Sequence, residues 1–360
     1  LTGGKMTLAE HLGLLGYRTA AFVSSFALDS RTGLGQGFQL YDDDFFPYFR
    51  GFSELQVARF GLRLLMRFGD PADYPFLLER PAPRTLDRAV AWASSGTGPF
   101  FLWVHLFEPH SPYERHDGLP AAVDHRAVLA QEPGYNYRSE EVEALRDLYR
   151  MEVEYTDTQV GRLLDDLKAA GLMTNAVVLL TGDHGESLGD HDIYFNHHGL
   201  YDDVLRVPFL LWSSSPAWTP GMRVPGQASV LDVANSLLGA GGLPLMAGTR
   251  SESMGNRALG AVTTPEAALL LGREGMSLSE GQLFGVRSSN GIKYIQRSDG
   301  TEEFYDLNSD PFEKTNISSE QARGVQIGRS NVEALRRALP DPAAVDDATR
   351  AMLKELGYIE

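Results

Sequence analysis

The chain has 360 residues, of which 43% are hydrophobic and 22% charged, and its formal net charge is −16. This composition is typical of a globular protein, and the length suffices for one large α/β domain with a smaller one or for two ordinary domains. The acidic balance argues against nucleic-acid binding, which would need a basic face. No cysteine is present, which excludes disulfides within the chain, and no apolar run reaches the roughly 18 residues that a transmembrane segment needs.

The first predicted elements are a helix and a strand close to the start of the chain. Thr7 and Glu10 have the spacing of a capping box, and apolar residues at helical spacing continue to Gly16. Residues 19–23 then have the composition of a strand. Because Leu1 is not a methionine and lies close to this helix start, we expect a fragment or a processed chain with a segment missing upstream.

The central part of the chain alternates helices with strands that are apolar throughout. Helices are predicted at about 86–93 and 149–170, and strands follow in "PFFLWVHLF", in Val177 to Thr181 and in "RVPFLLW". Strands without polar alternation are typical of a sheet that is buried on both faces. The expected fold class is therefore α/β, with a largely parallel sheet sandwiched by helices.

The pattern changes after about residue 248. "FGVRSSNGIKYIQ" alternates on both sides of Asn290-Gly291, which is a strong hairpin signal, and "EEFYDL" follows as a third strand. A terminal helix is predicted at about 347–356. We therefore expect two domains, an α/β catalytic domain over 1–248 and a smaller antiparallel α+β subdomain over 249–360.

The stretch from Asp42 to Pro83 fits neither pattern. It is rich in aromatic residues, and Arg59, Arg63 and Arg67 are spaced four apart, as on one face of a helix. Such a basic face is either a solvated surface or a lid that steers anions into a nearby cleft.

A first candidate site follows the strand that ends at Thr181. Asp183 and His184 lie between Gly182 and Gly185, which free the backbone so that the two side chains can converge. Ligands bind beyond the carboxyl ends of strands in parallel sheets, and a carboxylate beside an imidazole can bind a metal. The alternative is an aspartate that caps the next helix beside a hydrogen-bonded histidine.

Two further loops after or before predicted strands carry histidines. His105 and His110 bracket a stiff segment containing Glu108, and His197 and His198 precede a glycine. Either pair could contact an anion or a leaving-group oxygen, and either could instead be an ordinary buried or solvated pair. Five of the nine histidines lie in these three loops, which favours an incomplete hydrolytic metal site.

Six segments resemble the sulfatase family of the alkaline phosphatase superfamily, in the same order. They are "TLAEHLGLLGYRTAAF", "FLWVHLFEPHSPY", "YTDTQVGRLLDDL", "TGDHGESLGDH", "YFNHHGLYDDVLRVPF" and "FYDLNSDPFEKTNI". The resemblance implies hydrolysis of sulfate esters in a small molecule or glycan at a divalent cation. This cation is usually Ca²⁺, and Mn²⁺ or another divalent ion is an alternative.

The resemblance also implies roles for individual residues. Asp183 and His184 correspond to metal ligands, although many sulfatases have asparagine at the second position. The segment from His105 to His110 matches the loop H-x-x-D-P-H, with Glu108 in place of the usual aspartate. His110 would then contact the sulfate or its leaving oxygen.

The other histidine pair lies at a position where this sequence differs from other sulfatases. His197 occupies the place at which other members have a sulfate-binding lysine, and His198 follows it, so both are candidate catalytic residues.

Two parts of the family's site have no counterpart in this sequence. A strand with two metal-binding aspartates, and a Cys or Ser in C/S-x-P-x-R that becomes the formylglycine nucleophile, both precede the "TLAE" helix in sulfatases. We therefore expect these 360 residues to be inactive alone, and any signal peptide for a periplasmic or secreted protein would also lie upstream. The sequence does not indicate the oligomeric state. The alternatives are a phosphonate or phosphodiester hydrolase of the same superfamily, and a degenerate member that binds sulfated glycans.

Overall fold

The structure is a computed structural model that describes residues 6–45, 80–111, 113, 136–246, 267–273, 282–297 and 299–338. The predicted basic face at Arg59, Arg63 and Arg67 and the terminal helix at 347–356 lie outside these residues. The chain divides into two compact units, Leu1–Thr174 and Asn175–Glu360. No described helix is both long enough and apolar enough to cross a bilayer.

The N-terminal unit is built on a parallel sheet. Its helices and strands are α1 (Leu8–Leu14), β1 (Arg18–Phe22), β2 (Leu40–Asp42), α2 (Ala82–Ser94), β3 (Phe100–Val104) and α3 (Ser139–Ala169). The strand order is β2-β1-β3, and both pairings are parallel. Because β1 is central, its residues are the most deeply buried, and they pack with α2 around Ala20, Phe22 and Ala89.

Two helix starts show how local sequence sets these elements. The predicted capping box before α1 is confirmed, since Glu10 N donates to Thr7 Oγ1 at 3.1 Å and Thr7 N donates to Glu10 Oε2 at 2.8 Å. By contrast, α3 begins at Ser139 and not near residue 149. The additional turns are polar, and acidic residues such as Glu141 stabilise the positive end of the helix dipole without contributing an apolar stripe.

The C-terminal unit contains the remaining elements. They are β4 (Val177–Thr181), β5 (Ser187–Leu188), β6 (Tyr194–Asn196), α4 (Asp202–Leu205), β7 (Phe209–Ser213), α5 (Val233–Ala240), β8 (Ala267–Arg273), β9 (Gln282–Ser288), β10 (Ile292–Gln296), β11 (Glu302–Asp306) and α6 (Ala322–Ala338). Strands β4 and β7 pair antiparallel, as do β5 and β6, and the four-stranded antiparallel sheet has the order β11-β10-β9-β8.

These elements confirm the expected fold class, an α/β fold with a parallel sheet and a C-terminal antiparallel sheet. The predicted hairpin joins β9 to β10 at Asn290-Gly291, where Gly291 has φ +84°, and "EEFYDL" forms β11. The antiparallel pairing of β4 with β7 departs from a purely parallel sheet. Apolar composition alone does not specify strand direction, which explains the difference.

Both faces of the antiparallel sheet are covered. On one face α6 packs against Val286, Tyr294 and Phe304, and it approaches so closely that a Cβ at Gly328 would lie 2.4 Å from the Tyr294 ring. On the other face lies an apolar cluster formed by Leu200, Tyr201, Leu283, Ile295 and Tyr305. The segment that follows His198 is therefore packed directly on the sheet.

Candidate functional site

Asp183 and His184 lie just beyond the end of β4, and the backbone makes them face each other. His184 N donates to Asp183 Oδ1 at 3.0 Å, and the His184 Nδ1 atom lies 2.8 Å from the carbonyl oxygen of Gly185. Since a carbonyl oxygen only accepts, Nδ1 carries the proton. In the neutral ring the lone pair is then on Nε2, 3.8 Å from Asp183 Oδ1.

This pair has the donor atoms and spacing of two ligands of one cation. Ligand atoms lie about 2.0–2.6 Å from Zn²⁺ or Ca²⁺, so two ligands of one ion can be up to about 5 Å apart. The side chain of Asp183 is 80% exposed and thus accessible to an ion. Histidines that bind metals usually donate their other N–H to a backbone carbonyl, as His184 does to Gly185.

Gly185, which follows this pair, is required for space. A Cβ on Gly185 would lie 2.2 Å from the carbonyl oxygen of Asp203, and Gly185 N donates to Val204 O at 2.6 Å. The turn after His184 therefore lies against the backbone at α4. The sequence predicted that glycines shape this turn, and for Gly185 the reason is its close contact with Asp203 and Val204.

The second histidine loop begins where β6 ends, at Asn196. The side-chain oxygen of Asn196 accepts from His197 N at 2.8 Å and lies 2.7 Å from His198 Nδ1, which therefore carries a proton. The ring of His197 stacks on that of His184, with centroids 4.1 Å apart and planes at 21°. A nitrogen of each of these two rings lies within 4.8 Å of the other. The structure therefore brings His184 and His197 together.

The N-terminal unit carries the remaining two predicted residues, immediately after β3. His105 continues the strand, because its N–H donates to Phe22 O at 2.9 Å, and its ring lies edge-on to Trp103. The Nδ1 atom of His110 lies 2.6 Å from Ser111 O, and its ring stacks on Phe107 with centroids 4.6 Å apart.

Glu108 fixes the loop that holds these two histidines. Its Oε1 accepts from Ala82 N at 3.0 Å, at the start of α2, where a carboxylate also stabilises the helix dipole. The peptide bond to Pro109 is cis. Glu108 thus links this loop to the start of α2.

Three of the five predicted histidines share one arrangement. His110, His184 and His198 each place Nδ1 against a nearby carbonyl oxygen. In their neutral forms, these three rings therefore carry the lone pair on Nε2. When protonated, they would instead present an N–H donor there.

Glu186 is a buried acid that the sequence analysis assigned to no role. It is 8% exposed, and burial, together with the negative charge of Asp203, raises the pKa of its carboxyl to about 7. The sequence offered one signal for Glu186, namely its position two residues after His184 in the polar segment that follows β4. Its burial, however, depends on the packing of α4 and could not be read from the local sequence.

Comparisons with known proteins agree on one family. The sequence model described as Sulfatase matches residues 2–243. The choline-sulfatase of Rhizobium meliloti is 26% identical over 70% of this chain and 53% of its own length. The chain spans about half the length of the curated relatives it matches.

Solved structures show the same fold. The phosphonate monoester hydrolase of Agrobacterium radiobacter superposes with a TM-score of 0.70 over 94% of this chain and 81% of that chain, at 18% identity. A protein solved with its substrate D-glucosamine-2-N,6-O-disulfate gives a TM-score of 0.67 over 96% of this chain and 85% of that one, at 16% identity.

Proposed function

The chain belongs to the sulfatase family, and from this we propose that it carries part of the active site of an enzyme that hydrolyses sulfate esters. The observation that carries the proposal is the pairing of Asp183 with His184, whose ring is held by Gly185 and stacked on His197. A carboxylate and an unprotonated imidazole nitrogen suit a cation, and the cation would in turn neutralise the sulfate oxygens.

We assign Asp183 and His184 as ligands of a divalent cation. When bound, the cation would reduce the negative charge on the sulfate oxygens and thereby favour nucleophilic attack at sulfur. We propose Ca²⁺ as the cation, as in most sulfatases. The alternative is Mn²⁺, because an imidazole ligand suits transition-metal ions better than Ca²⁺.

The remaining histidines would act on the ester itself. His197 and His198 follow Asn196, which orients both residues, and in their protonated forms their rings would donate to sulfuryl oxygens. His110 and His105 are assigned to the leaving-group side because "HLFEPH" resembles the family's loop. The proton on His110 Nδ1 is held by Ser111 O, so Nε2 is the atom that would exchange a proton with the leaving alcohol.

The substrate class is a sulfated small molecule or glycan. Two similar proteins carry such substrates in their names or titles, a choline-sulfatase and a structure with a disulfated glucosamine. A phosphonate or phosphodiester hydrolase is the competing assignment, since a protein with that activity has the same fold.

The test is turnover by the complete gene product with and without EDTA. We expect faster hydrolysis of an aryl sulfate than of a phosphate diester or phosphonate ester, loss on chelation, and recovery with Ca²⁺ or Mn²⁺. The variants Asp183→Ala and His184→Ala should lower kcat/KM by about 10³-fold or more, since each removes a metal ligand. The exposed Asp190→Ala is the matched control.

Three results would contradict the proposal or part of it. Faster turnover of phosphonate esters would move the chain to the competing hydrolase. Unchanged activity in Asp183→Ala would refute the metal assignment. Sulfated-glycan binding without any turnover would indicate a binding protein. The 360 residues by themselves are expected to lack turnover.

A further inference from the structure

A buried lysine lies beneath the loop that carries His197 and His198. Lys293, the second residue of β10, has a fully buried side chain. A buried ammonium group is costly unless its donors are paired. Its Nζ atom donates to Asp202 Oδ1 at 2.6 Å and to Leu200 O at 3.0 Å, and it forms an ion pair with Glu313 Oε1 at 2.5 Å.

Two of these acceptors belong to the segment that immediately follows the histidines. Leu200 offers its backbone carbonyl, and Asp202 is the first residue of α4. Glu313 also accepts from Asp202 N at 2.6 Å, so its two carboxylate oxygens bind the ammonium and the start of the helix. Lys293 therefore binds the chain at Leu200 and Asp202, and Glu313 binds it at Asp202.

The residue between them is held as well. Tyr201 is 6% exposed, and its hydroxyl donates to Glu303 Oε2 at 2.8 Å. Three consecutive residues after Gly199 are thus attached to the antiparallel sheet. On the other side of the histidines, Asn196 ends β6 and accepts from His197 N. The two histidines lie between fixed points.

We propose that Lys293 is a positioning residue that holds the ring of His197 over His184, by anchoring the backbone at Leu200 and Asp202. The inference rests on the proposed function for its catalytic meaning, because His197 is there assigned to the sulfate group. It gives the antiparallel sheet a role in the site, since β10 supplies the anchor.

The charge of Lys293 distinguishes this role from simple packing. Apolar residues of similar volume can replace buried ion pairs without loss of stability, so stability alone does not require a lysine here. A lysine that donates to both Leu200 O and Asp202 Oδ1 does favour one placement of the segment after the histidines, because a shifted segment would leave these hydrogen bonds unmade inside the protein.

The test compares three variants of the complete gene product. Lys293→Met removes the charge, and Asp202→Asn weakens the anchor while it keeps the Lys293–Glu313 pair. Lys314→Met removes an exposed lysine next to Glu313 and is the control. Each is examined by NMR of the histidine Cε1–H groups at fixed pH, assigned with His184→Gln and His197→Gln, and by its melting temperature. kcat and KM for an aryl sulfate are measured separately.

We expect Lys293→Met and Asp202→Asn to shift the signals of His184 and His197, because the rings lose their stacking and its ring current. The same variants should lower kcat/KM roughly 10- to 100-fold, the range for a displaced catalytic group. Lys314→Met should change neither. If Lys293→Met does not fold, Asp202→Asn decides the question.

Signals of His184 and His197 that coincide with the wild type in a folded variant would overturn the inference. So would shifted signals with unchanged kcat/KM in an active protein. A wild type without turnover would instead count against the proposed function, and the NMR comparison would still decide whether Lys293 places the ring.

Discussion

Replacing Arg80 with methionine tests how the N-terminal unit tolerates a buried charge. Arg80 is 2% exposed and lies just before α2. Its guanidinium donates to Asp42 Oδ1 at 2.6 Å, and the other acceptors are Thr85 Oγ1 at 3.0 Å, Val23 O at 2.9 Å, Asp42 O at 3.3 Å and Asp44 O at 3.4 Å. Arg80→Met removes all of these donors and leaves the acceptors buried.

The expected loss in the free energy of unfolding depends on the charges that remain beside Asp42. Removing one partner of a buried ion pair costs about 3–5 kcal/mol, because the other charge is left without compensation. Here Asp42 keeps a second partner, since Arg88 Nη2 lies 2.6 Å from its Oδ2. We therefore expect the lower end, about 3 kcal/mol. Arg84→Met, an exposed arginine on α2, should cost less than about 0.5 kcal/mol.

The same contacts predict how stability depends on pH. Burial alone would raise the pKa of Asp42, but hydrogen bonds and charge from Arg80 and Arg88 hold it below the ordinary value of 3.8. A carboxyl with a depressed folded-state pKa contributes stability above its unfolded pKa and loses it as pH falls through the folded value. In Arg80→Met the burial effect is less opposed, so acid destabilisation should begin at a higher pH.

The assay is urea denaturation of wild type, Arg80→Met, Arg84→Met, Asp42→Asn and the Arg80→Met/Asp42→Asn double variant, at neutral pH and at several acid values. The cycle isolates the coupling between Arg80 and Asp42. A free energy of unfolding in Arg80→Met that equals that of Arg84→Met, or no coupling in the cycle, would refute the reasoning.

Two further predictions concern the candidate site. Gly185→Ala should reduce both the stability and the Ca²⁺ or Mn²⁺ affinity measured by calorimetry, because the added Cβ would lie 2.2 Å from Asp203 O. Gly161→Ala is the control, since a Cβ at this position has open space and should leave both properties intact. Asn196→Ala removes the acceptor shared by His197 N and His198 Nδ1, and should raise KM for an aryl sulfate roughly tenfold with little change in melting temperature. An unchanged KM would show that Asn196 does not orient the loop.

Local sequence determined the elements whose signals lie within a few residues. The capping box of Thr7 and Glu10 and the hairpin at Asn290-Gly291 depend on neighbouring side chains and on one permissive glycine, and both are confirmed. The placement of Asp183 beyond the end of β4 follows from the change from apolar to polar residues. Family resemblance added the roles of the histidines, and these remain predictions.

Tertiary structure decided the features that join distant parts of the chain. Nothing around position 293 indicated that its lysine would bind Leu200 and Asp202, because a contact 91 residues apart leaves no local pattern. The burial of Glu186 similarly depends on the packing around Asp203. The capping box and the hairpin turn could be predicted because they depend on hydrogen bonds between residues that are close in the sequence. The orientation of His197 over His184 depends on packing and ion pairs across the fold, which only the folded chain brings together.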